Sequence, residues 1–116
     1  MINLIAAVGE HGQIGLNGNL PWRDSEDLAW FKKLTMGGIV LVGYNTHKTL
    51  PPLKGRTVVC SSGMTPEQVI EIYGSDLWVA GGAKTYAEWM PYIERFYISR
   101  IKYDGLADTW FPKMPF

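Results

Sequence analysis

Cysteine is nearly missing from this chain. Cys60 is the only one among 116 residues, so no internal disulfide can form and a structural zinc cluster has no thiolate set to draw on. Its flanks, TVVCSS, read as a strand carrying a small buried thiol. Net charge is missing too. Eleven basic residues balance eleven acidic ones, which leaves no global field to draw nucleic acid or an anionic membrane, and neither is expected as a partner. Long apolar runs are also lacking. IVLVGY has the length of a strand, not of a membrane span, and MINLIAAVGE lacks the basic start and apolar length of a signal peptide. The cytoplasm is therefore the expected location. With no repeat, low-complexity tract or linker, residues 1–116 are expected to form one domain.

What the chain has in quantity is aromatic side chains, 13% of residues with five Trp and six Tyr, which favours a packed interior or a stacking site. Short apolar runs at 2–8, 38–43, 57–61, 77–80 and 95–101 read as strands. Helical patterns lie between them at about 24–35, 44–50, 65–74 and 83–90. Thr65 as N-cap, Pro66 at the first position and Gly74 at the end mark the third helix clearly. Residues 9–22, with four glycines and a proline, read as a long mobile loop, and the segment after 101 as another loop with an apolar end. This alternation predicts an α/β fold, a mainly parallel sheet of about five strands flanked by helices. Ligands of such sheets sit at the carboxyl ends of the strands.

Counting from Asp27, the residues at i+3, i+4 and i+7 are Trp30, Phe31 and Leu34. A carboxylate thus shares a helix face with two aromatics and a leucine, and that face is expected to turn inward. Asp24-x-x-Asp27 also resembles a capping box, with the acid suited to the helix dipole, and spacing alone leaves both readings open. Two strand exits, LVGYNT and WVAGGAKTY, run through glycine into a helix, a geometry that offers backbone N–H groups to phosphate. His11 and His47 read as loop and surface residues with no metal expected, and Tyr86, Trp89 and Met90 as core, Tyr86 reaching toward the site.

The segments LIAAVGEHGQIGLNGNLPW, DLAWFKKLT, GRTVVCSS, VAGGAKTYAEWMP, FYISRI and ADTWFP follow one another in the order found in dihydrofolate reductase, and the chain resembles that family from Ile2 to Pro112. The resemblance implies reduction of 7,8-dihydrofolate to 5,6,7,8-tetrahydrofolate by hydride transfer from NADPH. It implies Asp27 as the pterin anchor that helps protonation, supported by the Ser99 hydroxyl. Ile5, Ala6, Leu28, Phe31 and Leu50 would wall the pterin pocket, Leu53 would touch the benzoyl part, and Arg56 would grip the glutamate carboxylate. Leu20 and Trp22 would belong to the active-site loop, which Asp108 pins when closed. Ala7, Ile14, Gly18, Asn19, Gly43, Tyr44, Asn45, Thr46, Ser61, Ser62, Ala80, Gly81, Gly82, Ala83, Lys84 and Thr85 would hold the cofactor. Gly81 and Gly82 would be joined by a cis peptide.

Three features depart from the family pattern. Tyr44 stands where a basic residue usually meets the cofactor's 2′-phosphate, which opens NADH as an alternative unless Lys48 or Ser62 compensates. The stretch from Ser62 to Leu77 is short, and the sequence stops soon after DTWFP, so the sheet is expected to be trimmed at both edges. Bared strand edges and the apolar tail WFPKMPF would favour a homo-oligomer. Another pterin or pyrimidine reductase of this fold class, or a non-catalytic binding or structural protein that kept the fold, are the rival readings.

Overall fold

The computed structural model describes residues 1–113. In chain order the elements are β1 (Ile2–Val8), β2 (Gln13–Gly15), α1 (Ser25–Thr35), β3 (Ile39–Val42), α2 (Tyr44–Thr49), β4 (Thr57–Cys60), α3 (Pro66–Tyr73), β5 (Leu77–Val79), α4 (Ala83–Trp89), β6 (Arg95–Arg100) and β7 (Thr109–Trp110). The helices start where their caps allow. Asp24 accepts from Asp27 N at 3.0 Å to open α1. Thr65 and Gln68 form a reciprocal capping box on α3 with Pro66 in its first turn, and Gly74 closes that helix at φ 87°.

Five strands form one sheet in the order β4-β3-β5-β1-β6, and every pair in it is parallel. Right-handed crossovers place α1 and α2 on one face, α3 and α4 on the other. Register then decides which residues go where, because alternate side chains point to opposite faces. Ile2, Leu4 and Ala6 of β1, Leu41 of β3, Val59 of β4, and Leu77 and Val79 of β5 share one face and pack with Val69 of α3 and Tyr86 and Trp89 of α4. This is the main core; Leu4, Leu41, Leu77, Val69, Val79 and Trp89 are fully buried in it. Truncating one of its leucines to alanine would cost about 2–5 kcal/mol.

The opposite face carries Asn3, Ile5 and Ala7 of β1 and Tyr97 and Ser99 of β6 in register. It is covered less completely: Thr35 is the one buried residue of α1. The expected inward face of that helix is corrected accordingly. Trp30 is 43% and Leu28 58% exposed, while Phe31 and Leu34 are half-buried. For Trp30 the cause is location, since it lines an open cleft between the start of α1 and the end of β6.

Two expected loops also contain structure. β2 and β7 pair as a small antiparallel ribbon, Gln13 opposite Trp110 and Gly15 opposite Thr109. Within the ribbon's extension, Asn17 (φ 52°) and Gly18 (φ 82°) make a tight reversal in which Leu16 N donates to Asn19 O at 2.8 Å and Asn19 N to Leu16 O at 3.1 Å. Two positive φ values in succession suit Asn-Gly. The apolar tail is partly covered where it is described: Phe111 leans on Tyr86 with ring centroids 5.0 Å apart. Met114, Pro115 and Phe116, the rest of that tail, lie outside the described residues. β4 and β6 are the margins of the sheet, and β6 carries Arg95 and Arg100 at its ends, which blunts that edge.

Candidate active site

The site forms where the strands end. Beyond the ends of β3 and β5 the ladder continues: Ala80 N donates to Leu41 O at 2.9 Å, Gly43 N to Gly81 O at 2.8 Å, and Ser61 N to Val42 O at 2.9 Å. The two glycine-marked exits are thereby brought side by side, and Ser61 joins them. Glycine is required there. A Cβ on Gly43 would collide with Thr85 Oγ1, and one on Gly82 would meet Thr46 Oγ1 at 3.1 Å. The Gly81–Gly82 peptide is cis, and Gly81 has φ 130°. Asn45 and Thr46 on α2 and Ala83, Lys84 and Thr85 on α4 flank this bare backbone. Ser61 is buried and its hydroxyl donates to Val42 O at 3.4 Å, whereas Ser62 and Lys84 are exposed. Tyr44 is 61% exposed, with the Lys48 ammonium 5.2 Å over its ring.

On the other side of β1, Asp27 and Ser99 line one shallow, open cleft of about 290 Å³ together with Asp24, Glu26, Trp30 and Ile101. Asp27 comes from the first turn of α1 and Ser99 from the exposed side of β6, so the pairing depends on both the cap and the strand register. Ile5 and Ala6 are buried in β1 and are not among the residues lining this cleft. Tyr86 is buried and its hydroxyl donates to Ile5 O at 2.8 Å. Burial, and then the Asp27 carboxylate, push its phenol above the ordinary tyrosine range.

Further along α1 the structure brings Phe31, Thr35 and Arg56 together. The guanidinium lies 6.0 Å from the Phe31 ring centroid; its Nε donates to Lys54 O at 3.1 Å and its Nη1 to Thr35 Oγ1 at 3.5 Å. Arg56 is thus partly immobilised beside half-buried Leu50 and Leu53, with guanidinium N–H groups left to offer a ligand.

The loop that carries Leu20 and Trp22 is tied down at several points. Asn17 N donates to Asp108 Oδ2 at 2.9 Å and Asp108 N donates to Gly15 O at 2.9 Å. The hydrogen bond from Asn17, followed by that from Thr109, holds the Asp108 carboxyl below its usual value. Thr49 on α2 donates to Gly18 O at 3.3 Å, and Trp22 packs on Tyr103. Leu20 stays 48% exposed. Ile14 packs toward the core, and Ala7 and Asn19 stand at the loop's two flanks. Sequence reasoning missed Tyr103 and buried Gln13, which join the loop to residues 103–105. Their partners are nearly a whole chain away, and no local pattern marks them.

A family model described as dihydrofolate reductase matches residues 1–116. Among related proteins, the dihydromethanopterin reductase of Methylorubrum extorquens is 38% identical over 95% of this chain and 89% of its own length. The dihydrofolate reductase of Mycobacterium tuberculosis is 35% identical over 87% of this chain and 71% of its own. That of Buchnera aphidicola is 29% identical over 97% and 79%. Among solved structures, dihydrofolate reductase from Enterococcus faecalis, complexed with NADP(H) and RAB-propyl, superposes with a TM-score of 0.87 at 27% identity, covering 99% of this chain and 79% of that one.

Proposed function

The chain belongs to the dihydrofolate reductase family of oxidoreductases, and on that footing we propose that it reduces the pterin ring of 7,8-dihydrofolate to the tetrahydro form. The observation that carries the reading is the placement of Asp27 and Ser99 on one cavity, beside the strand ends where Gly43 and Gly81 meet. The Enterococcus relative's cofactor, NADP(H), is the proposed hydride donor. The residues present fit a dinucleotide, because Gly43 and Gly82 open α2 and α4 with no side-chain cap, which leaves first-turn N–H groups to a diphosphate.

In this reading Asp27 accepts hydrogen bonds from the pterin's amino group and adjacent ring nitrogen, with Ser99 supporting it. Such an anchor orients the ring and biases it toward the protonated form, while water in the cavity delivers the proton. Tyr86 holds the Ile5 carbonyl and so fixes β1 at that point. Leu28, Phe31, Leu50 and Leu53 supply apolar walls, and Leu20 with Trp22 closes the site against water. Arg56, braced by Phe31 and Thr35, meets a carboxylate on the substrate's tail. Lys48, held over Tyr44, supplies the positive charge for a 2′-phosphate, which favours NADPH over NADH.

A second reading is reduction of dihydromethanopterin, favoured by the greater identity and fuller mutual coverage of the Methylorubrum relative. Steady-state assays that follow oxidation of the reduced dinucleotide, with each of the two dihydropterins and each of NADPH and NADH, decide between them. The first reading expects the highest kcat/KM with dihydrofolate and NADPH. Turnover confined to dihydromethanopterin would replace it, and turnover of neither would refute both.

A further inference from the structure

We propose that Glu10, His11 and Asp104 form a binding site for a divalent transition-metal ion, which would clamp the root of the active-site loop to the β6–β7 connection. One donor atom from each of these three residues lies within 4.8 Å of the other two. His11 Nε2 and Asp104 Oδ1 are already 2.5 Å apart. The set is one imidazole and two carboxylates, which suits zinc, cobalt or nickel and not the all-oxygen shells of magnesium or calcium.

Geometry asks little of the side chains. Zinc bonds to nitrogen and oxygen of about 2.1 Å place tetrahedral ligands roughly 3.4 Å apart. The His11–Asp104 contact must therefore open by about an ångström, and Glu10, whose donor already lies within 4.8 Å of both, has little further to come. Both His11 and Asp104 are about two-thirds exposed, at 68% and 65%, so their rotation meets no packing. Three protein donors leave coordination positions for water.

The backbones that carry the donors are fixed. Glu10 N donates to Tyr103 O at 2.8 Å, and His11 N to Gln13 Oε1 at 2.7 Å. Gln13, 3% exposed, donates in turn to Gly105 O at 3.3 Å. Donors from opposite ends of the chain are thus held in register before any ion arrives. The same two loops meet again at Asp108 and Asn17, so a bound ion would add a second tie and slow the loop's opening. The site stands whichever dihydropterin the enzyme reduces.

The test is calorimetric titration of tag-free protein with ZnCl₂, and cobalt(II) addition followed by NMR. One equivalent should bind, with affinity falling roughly tenfold or more in each of His11→Gln and Asp104→Asn and unchanged in His47→Gln. Cobalt should broaden the imidazole signals of only one of the chain's two histidines, His11, in the wild type. Absence of saturable zinc binding, binding unaffected by His11→Gln, or broadening of His47 instead would overturn the proposal.

Discussion

Trp22 of the active-site loop leans on Tyr103 of the β6–β7 connection, with ring centroids 5.4 Å apart and planes at 54°. The contact is reinforced around Tyr103. Its hydroxyl donates to Leu106 O at 2.6 Å and its carbonyl accepts from Glu10 N at 2.8 Å. A Cβ on Gly105 would meet the Tyr103 hydroxyl at 2.6 Å, so only glycine lets this turn fold under the ring. The loop that carries Leu20 and Trp22 therefore rests on an aromatic platform from the far end of the chain.

Replacing Tyr103 by phenylalanine should keep the platform and lose one exposed hydrogen bond, about 1 kcal/mol at most. Replacing it by alanine should remove the surface on which Trp22 packs. Dihydropterin turnover should then fall severalfold in Tyr103→Ala and little in Tyr103→Phe, as steady-state assays of the two variants would measure.

Asp108 ties the same loop through its carboxylate, and its pKa is lowered from 3.8 by the Asn17 and Thr109 hydrogen bonds. A depressed carboxylate contributes stability above its unfolded pKa and loses it as pH falls through the folded value. The tie should therefore be intact at neutral pH and fail only below about 3.8. Asp108→Asn should remove this pH dependence, which hydrogen exchange of the Asn17 amide across acid pH measures directly.

Tyr86 is buried, and its phenol titrates above the ordinary range because burial, and then Asp27, oppose the anion. In a spectrophotometric titration, one of the six tyrosines should resist ionisation until the protein unfolds in alkali. Tyr86→Phe should abolish that step and, by orphaning the Ile5 carbonyl, lower stability by about 1–3 kcal/mol in denaturant melts.

Gly43 has an ordinary φ of −79°, so Gly43→Ala is a purely steric test. The new methyl would press on Thr85 Oγ1, and either α4 shifts or the Gly81–Gly82 backbone does. Overpacking of this kind costs about 1–3 kcal/mol. Dinucleotide affinity, read by fluorescence quenching, should fall, and Thr85→Ala in the same chain should restore part of it by making room.

Much of the fold is written locally. The five strands of the main sheet are short apolar runs, and α3 announces itself through Thr65, Pro66 and Gly74. β2 and β7 are not legible because a three-residue and a two-residue strand have no periodicity; Gln13 becomes a strand residue only by meeting Trp110. The apolar face of α1 misled in a physical way. Trp30 obeys helical spacing yet stays partly exposed because it lines a cleft, and spacing cannot tell a cleft wall from a core. The two glycine exits were visible singly, but their contact through Gly43 N and Gly81 O follows from β3 and β5 being neighbours in the sheet. The strand order itself, with β3 beside β5 and β1 beside β6, is not encoded by local patterns. The Glu10, His11 and Asp104 cluster escaped for a related reason, since Asp104 lies far from the other two in sequence.

The claim on which the account turns is that Asp27, facing the cavity it shares with Ser99, anchors and helps protonate the pterin. Its most direct test is kcat/KM for dihydrofolate against pH, in wild type and in Asp27→Asn, with folding verified by circular dichroism. The substitution keeps the side chain's size and leaves the Asp24 cap on α1 in place. A loss of about 100-fold or more at neutral pH, recovering partly in acid as substrate arrives already protonated, is the predicted result. Equal turnover by the two proteins across the pH range would contradict it.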